Sequence, residues 1–218
     1  MAGLSTSIAR THKLTPSDTV LPTSSLTDSY TLCWVLAALY HNATVALNSV
    51  AGDKVDLTLA TAGVHPTIII ASPATIMSYL STNSSPPLTR YFATRTLQAG
   101  NMPTQRLTPD NATLSNLRVV LISQPATDAP RLLSLMLTDL RILLGARVAY
   151  ALTAPRVAGA LAQTHILDYR DKGSAVCVGA PLGSVEVHLT GEEEAMASQA
   201  PRGKVCTLTT CVCSYARM

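Results

Sequence analysis

The sequence predicts an α/β protein with a layered, mostly parallel sheet and flanking helices, followed by a small β-rich segment. Three apolar runs of strand length, at 66–72, 117–123 and 147–153, are typical of central strands buried on both faces. Segments with helical periodicity and capping residues alternate with these runs. Hydrophobic residues make up 47% of the 218 positions and charged residues only 13%, which indicates a large buried core and excludes a disordered chain.

The predicted helices begin at side chains that can accept a hydrogen bond from the first turn, or end at a glycine. The first helix is predicted over 27–42 with Thr27 or Asp28 as its cap, and the second over 52–64 with Asp53 near its start and Gly63 near its end. The third is predicted over 72–81, with Ser72 as its cap and Pro73 at the first position. The fourth is predicted over 127–146, with Asp128 as its cap and Gly145 at its end. A short strand rich in β-branched residues is predicted at 43–49.

Composition along the chain divides it into two regions. We predict an α/β subdomain over 1–173, within which 83–116 is a loop-rich insertion around one short helix near 90–98. From about 174 onward the pattern is all-β, and alternation in "SVEVHLT" predicts that Glu186 and His188 share one exposed face.

Charge and hydropathy exclude some partners. A formal net charge of +3 and an aromatic content of 4% argue against nucleic acid as a partner. The longest apolar stretch, "YTLCWVLAALY" at 30–40, is roughly half the ~20 residues that a membrane span requires, so we predict a buried helix and no transmembrane helix. Peripheral contact with a membrane stays open.

The cysteines indicate a reducing compartment. Five cysteines are an odd number, and we find no secretion signal, so reduced thiols and an intracellular location are expected, either cytoplasmic or peripherally at an organelle membrane. The spacing of Cys206, Cys211 and Cys213 fits no standard zinc site, and no metal site is predicted. The segment "VGAPLG" at 178–183 lacks the glycine spacing of a dinucleotide loop and predicts a β-turn.

Four stretches, in this order, carry a resemblance to a known family. They are "LTPSDTVLPTSSLTDSY", "ALYHNATVAL" with "VHPTIIIASPATI", "LRVVLISQPATDAPRLLSLM", and "VAYALTAPRVAGALAQTHILDYRDKGSAVCVGAPLGSVEVHL". Together they resemble the large N-terminal domain of the adenylate-forming (AMP-binding) superfamily, acyl-CoA synthetases and long-chain fatty acid–CoA ligases in particular. The resemblance implies a family reaction in which ATP, with Mg²⁺, activates a fatty or other carboxylic acid as an acyl-adenylate that is passed to CoA.

The resemblance also implies roles for individual residues. Tyr150 matches the aromatic residue that stacks on adenine, and Thr153 matches the hydroxyl that binds phosphate. The implied nucleotide-binding set is Tyr150, Ala151, Thr153, Gln124 and Pro125, and the implied acyl-binding set is Ser25 and Ala126. Without the resemblance, Tyr150 and Thr153 are better explained as ordinary residues at a strand end, one packed and one hydrogen-bonded.

Three positions depart from the family pattern. Ala154 stands where the family has the glutamate that holds Mg²⁺, and a methyl group cannot bind a hard cation, so no catalytic residue is intact. Gln124 and Pro125 replace paired glycines that let the backbone approach the ligand, and Ser25 replaces a histidine near the acyl carboxylate. These internal differences indicate a divergent domain.

The resemblance further implies that other family features fall outside 1–218. The glycine-rich phosphate loop is expected just before Met1, and the ribose-binding aspartate, the hinge and the lysine-bearing C-terminal domain are expected after a truncated C-terminus. The sequence therefore predicts a partial or divergent AMP-binding domain whose own enzymatic activity is uncertain and whose cofactor in this chain could be none. The alternatives are a non-catalytic acyl-binding, nucleotide-binding or interaction module, and an unrelated nucleotide-dependent α/β enzyme.

Overall fold

The computed structural model describes residues 13–49, 52, 54–103, 114–127, 131–155, 157–169, 176–183, 185–197, 204–209 and 212–217. Its main feature is a seven-stranded sheet in which five neighbouring strands are parallel. These strands are β1 (Thr19–Pro22), β2 (Thr44–Val45), β3 (Ile68–Ala71), β4 (Val119–Pro125) and β5 (Arg147–Thr153), in the spatial order β2-β1-β3-β4-β5. The predicted α/β fold class is confirmed.

Two short antiparallel strands extend the sheet beyond β5. They are β6 (Ala162–Gln163), which pairs with β5, and β7 (Ala180–Pro181), which pairs with β6. The chain therefore turns back after the carboxyl end of β5 and runs antiparallel beside it. β7 lies beyond residue 173, so the first sheet includes a strand from the region predicted to be a separate β-rich segment.

Helices join the parallel strands and cover both faces of the sheet. They are α1 (Ser29–Tyr40), α2 (Leu57–Thr61), α3 (Pro73–Thr82), α4 (Pro87–Gln98) and α5 (Ser134–Leu144). Asp28 caps α1 by accepting a hydrogen bond from the Tyr30 amide, and Ser72 caps α3 with Pro73 at its start, as predicted. Gly145 closes α5 in the left-handed conformation, with φ of 56°.

The core lies on both faces of the central strands. Ile69 and Ile122 pack with helix residues on one face, while Ile68, Ile70 and Leu121 pack on the other, around Trp34 of α1. All are buried, because successive side chains of a strand point to opposite faces and both faces are covered. The prediction of central, doubly buried strands is confirmed.

Three predicted elements have different limits in the structure. The helix predicted over 127–146 begins only at Ser134, and Leu133 is its N-cap, while Asp128 lies outside the described residues. The helix predicted over 52–64 is a five-residue helix that Asp56 caps through the Thr58 amide; Asp53 also lies outside the described residues. The strand predicted at 43–49 is reduced to the two residues of β2, because only this part pairs with β1.

The region 83–116 contains more helix than the sequence predicts. α4 has 12 residues and packs Ala93 and Leu97 against Ile142 of α5. The proline-rich start of the segment does not prevent a helix, because Pro87 occupies the first turn, where no amide hydrogen is needed.

A second sheet follows, with the antiparallel order β10-β9-β8. Its strands are β8 (Glu186–Thr190), β9 (Lys204–Thr209) and β10 (Val212–Arg217). The Glu186 carboxylate and His188 Nε2 lie 2.8 Å apart on one exposed face, as alternation predicts. A four-residue helix, α6 (Glu193–Met196), lies between β8 and β9.

The amino edge of the parallel sheet is tied together by one buried carboxylate. Asp18, just before β1, accepts two hydrogen bonds from Arg118, just before β4, at 2.9 and 2.7 Å. It also accepts hydrogen bonds from Thr67 and Thr15. Burial alone would raise the pKa of Asp18, but these hydrogen bonds outweigh it and lower the pKa to about 2.

Among the described residues, the longest helices have 12 residues, and none is long and apolar enough to cross a membrane. Cys33 is a buried free thiol and Cys177 an exposed one. The Cys206 and Cys213 backbones lie in β9 and β10, whereas Cys211 lies outside the described residues.

Candidate functional site

The candidate site lies at the carboxyl edge of the parallel sheet. β4 ends at Pro125 and β5 at Thr153, and the two strands pair along their whole length up to these two residues. In open parallel sheets, ligands bind in the crevice outside the carboxyl ends of the strands. Of the predicted site residues, Gln124, Pro125 and Thr153 lie at the ends of these strands, Ala126 and Ala154 directly follow them, Ser25 follows β1, and Tyr150 and Ala151 lie within β5.

Tyr150 is the most enclosed of the predicted site residues. It is 2% exposed, belongs to the core cluster that includes Ile122 and Leu132, and donates a 3.1 Å hydrogen bond from its hydroxyl to Gln124 Oε1. Its amide donates to the Thr164 hydroxyl at 2.8 Å. Burial raises the pKa of Tyr150 to about 12, so the phenol is protonated at neutral pH and acts as the donor.

Gln124 fills the space beside this phenol. Its side chain is buried, its Oε1 accepts from Tyr150, and its Nε2 donates to the carbonyl of Pro125 at 3.1 Å. A glycine at this position would leave both the phenol and the Pro125 carbonyl open to a ligand. In this structure the glutamine makes those hydrogen bonds itself.

Thr153 and Ala154 lie where β5 ends. Thr153 is buried, and its carbonyl accepts a 2.7 Å hydrogen bond from the Ala126 amide, which joins the ends of β4 and β5. Ala154 is 7% exposed and packs in a small apolar cluster with Leu152, Val157, Leu161 and Val185. Ala151, one residue before Leu152, is fully buried in the core on the opposite face.

The two predicted acyl-binding residues, like Pro125, are half-buried. Ser25 is half-buried, and its hydroxyl lies 2.8 Å from the Thr27 hydroxyl and accepts from the Thr27 amide at 3.2 Å. Ala126 is half-buried and packs against the apolar cluster around Ala154. Both residues therefore border the edge from its solvent side.

A polar network at this edge was not predicted as part of the site. Asp28 accepts hydrogen bonds from the Ser123 hydroxyl at 2.6 Å and from the Thr31 hydroxyl at 3.2 Å, and Ser24 lies 2.7 Å from Thr31. The sequence identifies Asp28 only as a helix cap. Its contact with Ser123 crosses 95 positions, and no local pattern indicates such a contact.

The segment after β1 lies across the ends of both β4 and β5. Besides the Asp28–Ser123 contact, the Ser29 hydroxyl donates to the Val157 carbonyl at 2.8 Å, and the Tyr30 hydroxyl donates to Gln163 Oε1 at 3.0 Å. Burial raises the pKa of Tyr30 well above its ordinary value. These hydrogen bonds bring three of the sequence stretches that carry the resemblance to one edge.

The residues at this edge do not fit a magnesium ion. The side chain at 154 is a methyl group among apolar neighbours, and the Asp28 carboxylate is already satisfied by hydroxyls. Within the described part of the chain, no group of three or more histidine, cysteine, aspartate or glutamate side chains could hold a metal ion.

Comparison with known proteins gives a likeness of structure and none of sequence. No protein-family model matches the chain, and no curated protein is similar to it in sequence. Among solved structures, o-succinylbenzoate CoA synthetase from Bacillus subtilis, in complex with the acyl-adenylate intermediate OSB-AMP, matches 98% of this chain with a TM-score of 0.64 and 15% identity. The chain has the fold of part of an acyl-CoA ligase. A long-chain fatty acid–CoA ligase from Archaeoglobus fulgidus also matches 98% of the chain, with a TM-score of 0.61 and 12% identity.

The likeness covers only part of those ligases. The chain spans 37% of the length of the Bacillus synthetase and 38% of the Archaeoglobus ligase. The Bacillus synthetase has also been solved with ATP and a magnesium ion. The expected fold is therefore confirmed, since the chain shares its fold with part of these two ligases.

Proposed function

We propose that this chain is part of an adenylate-forming ligase of the acyl-CoA synthetase type. In the family reaction, a carboxylate attacks the α-phosphate of ATP and releases pyrophosphate, and the thiol of CoA then displaces AMP from the acyl-adenylate. The single observation that carries the proposal is the carboxyl edge of the sheet. There, the segment after β1 and the ends of β4 and β5 meet through the Asp28–Ser123 and Ser29–Val157 hydrogen bonds.

In this proposal, the nucleotide lies along the ends of β4 and β5. The phenol of Tyr150 would face adenine and the hydroxyl of Thr153 would bind phosphate, with Ala151, Gln124 and Pro125 beside them and with Ser25 and Ala126 toward the acyl group. Because Tyr150 and Gln124 are both almost fully buried, adenine can reach the phenol only if their hydrogen bond opens. Binding would then cost about 1 kcal/mol for that bond before any contact is gained.

We further propose that the chain alone has little or no ligase activity. Ala154 lacks the carboxylate that holds Mg²⁺ in the family, and its apolar surroundings would disfavour a charged metal complex. Binding a nucleotide without turning it over is compatible with this edge, because hydroxyls and backbone amides bind phosphate without a metal.

The second candidate is a non-catalytic module that binds an acyl group, a nucleotide or a protein partner. The observation that favours it is the Tyr150–Gln124 hydrogen bond, in which two buried side chains satisfy each other where the family leaves an open glycine. A buried and satisfied pair stabilises the fold by itself, so the sheet can persist after catalysis has been lost.

Two measurements on the same purified chain test both candidates, and binding of an acyl-adenylate mimic without pyrophosphate release is a result that the non-catalytic module also predicts. One is pyrophosphate release from ATP–Mg²⁺ with a panel of short and long carboxylic acids. The other is a calorimetric titration with a non-hydrolysable acyl-adenylate mimic. We expect the mimic to bind and pyrophosphate release to stay at the level of a protein-free blank, because the carboxyl edge is present and the metal ligand is missing. Pyrophosphate release above the blank would rule out the non-catalytic module, and failure to bind the mimic would contradict the ligase proposal.

A matched pair of threonine variants locates the bound mimic. Thr153→Val removes the proposed phosphate-binding hydroxyl while keeping the shape and strand propensity, and should weaken binding about tenfold. The control is Thr138→Val, where a similarly buried hydroxyl bonds the Ser134 carbonyl within α5. Equal affinity of both variants would place the mimic elsewhere.

For the cellular setting, we propose an intracellular location, cytoplasmic or peripherally associated with an organelle membrane. The odd number of cysteines, with free thiols at Cys33 and Cys177, supports a reducing compartment. The proposed partners are an acyl or carboxylate small molecule and a lipid surface, and nucleic acid is not among them.

A further inference from the structure

Helix α4 presents an exposed apolar face. Leu88, Tyr91 and Phe92 are 75%, 55% and 66% exposed and lie at spacings of three and four residues, so they occupy one side of the helix. The opposite side packs into the protein through Ala93 and Leu97. Large apolar side chains that share one exposed face are typical of a surface that meets a partner.

Arginine is the only charged residue type on this helix. Arg95 lies beside the apolar face, with its guanidinium 5.5 Å from the Tyr91 ring centroid and a 3.1 Å hydrogen bond to the Tyr91 hydroxyl. Arg90 forms an ion pair with Asp139 of α5 at 2.8 Å. Because α4 contains no aspartate or glutamate, its exposed face is apolar and aromatic with a cationic rim.

A second exposed apolar face, on α1, provides a contrast. Leu39 and Tyr40 are 57% and 62% exposed, close to the values on α4. The 12 residues of α1 contain no charged side chain. Both helices therefore expose apolar side chains, but of the two only α4 carries positively charged residues that would attract an anionic surface.

We propose that the Leu88–Tyr91–Phe92 face of α4, with Arg95, docks on the surface of an anionic lipid bilayer. A helix that lies in the interface buries its apolar side chains at the level of the acyl chains, and aromatic rings prefer that depth. The arginine side chain extends along the apolar face and keeps its guanidinium at the headgroups, where anionic lipids attract it. The helix then needs no change of conformation to bind.

The test is co-sedimentation of the full chain with vesicles of phosphatidylcholine alone and of an equal mixture of phosphatidylcholine and phosphatidylserine. We expect binding to the anionic vesicles, several-fold weaker binding to the neutral ones, and loss of the difference at high salt. The double variant Leu88→Ser with Phe92→Ser should lower binding by at least about tenfold. Arg95→Gln should lower it about fivefold, and only with the anionic vesicles.

The control is the double variant Leu39→Ser with Tyr40→Ser on α1, which removes equally exposed apolar groups from an uncharged helix. It should bind as the unaltered chain does. Thermal unfolding monitored by circular dichroism should be nearly unchanged in all variants, since every substituted side chain is exposed. Absence of vesicle binding, or an equal loss in the α1 control, would overturn the proposal. A dimer in light scattering that the α4 double variant abolishes, without vesicle binding, would assign the face to self-association instead.

Discussion

At the scale of single residues, the carboxyl edge contains a buried hydrogen bond between the Tyr150 hydroxyl and Gln124, where the resemblance implies a glycine at position 124. The resemblance implies that Gln124 and Tyr150 belong to one nucleotide-binding set. It does not predict that the two side chains bond to each other, since that depends on rotamers and on how the sheet packs. The same holds for Asp28, whose capping role is local and predictable, whereas its bond to Ser123 depends on the tertiary fold.

A second residue-scale feature, the Asp18 carboxylate, predicts how stability depends on pH. Its pKa is about 2 in the folded chain and 3.8 as the reference value, so the folded state binds the proton less tightly than the unfolded state. The interaction therefore contributes its full stabilisation above about pH 4, roughly 2 kcal/mol, and loses it as the pH falls toward 2. Urea unfolding of the unaltered chain and of Asp18→Asn should differ by this amount near neutral pH.

The informative quantity in that experiment is the difference in unfolding free energy between the unaltered chain and Asp18→Asn as the pH is lowered. The remaining carboxylates titrate in both, so their effects cancel in the difference. We expect the gap in unfolding free energy to narrow between about pH 4 and pH 2. A gap that is constant over this range would show that Asp18 does not carry the charge interaction with Arg118.

At the scale of elements, apolar runs predict the positions of the strands well, and capping patterns predict helix limits less well. The buried strands β3, β4 and β5 lie inside or within two residues of their predicted ranges, because a run of β-branched side chains has few alternatives to a central strand. The helix predicted over 127–146 begins at Ser134, because Leu132 packs into the core just before the helix instead of lying within it.

The junction of β6 and β7 gives a prediction at this scale. Gly179, just before β7, has φ of 82°, and a Cβ there would overlap the backbone of Gln163 in β6. Gly179→Ala should therefore destabilise the fold by roughly 2 kcal/mol or more, since neither the conformation nor the contact with backbone can relax cheaply. The measurement is the urea midpoint, followed by intrinsic fluorescence from the single tryptophan.

Gly183, four residues later, is the matched control. A Cβ at Gly183 meets no atom within 4 Å. Gly183→Ala should leave the urea midpoint unchanged or raise it slightly, because the unfolded chain loses conformational freedom. Equal midpoints for the two alanine variants would contradict the close approach of β7 to β6.

At the scale of the whole molecule, the sequence predicts the class of fold but not the sheet order. Alternating strands and helices lead to a parallel sheet, because crossover connections place successive strands side by side in the same direction. The reversal that places β2 and β3 on opposite sides of β1, and the antiparallel addition of β6 and β7, depend on long-range packing that leaves no local pattern. The particular fold was expected from the family resemblance, and the structure of the Bacillus synthetase matches 98% of the chain.

The proposed function also belongs to this scale, because it depends on the carboxyl edge of the sheet, which several elements form together. The chain spans little more than a third of the Bacillus synthetase, so the ligase reaction is a proposal for it. The described residues themselves show a parallel sheet, a network of hydroxyls hydrogen-bonded around Asp28 at its carboxyl edge, and an alanine at the end of β5, where a metal ligand would be needed.

Binding of the acyl-adenylate mimic at the carboxyl edge is tested most directly by a nuclear magnetic resonance titration of the isotope-labelled chain, in which the backbone amide shifts are followed. We expect the largest shifts at Gln124, Ala126, Thr153 and Ala154, and smaller shifts at Ser25. The reason is that the mimic would lie along the carboxyl edge and open the Tyr150–Gln124 hydrogen bond. Shifts confined to residues away from this edge, or no shifts at saturating mimic, would contradict this expectation.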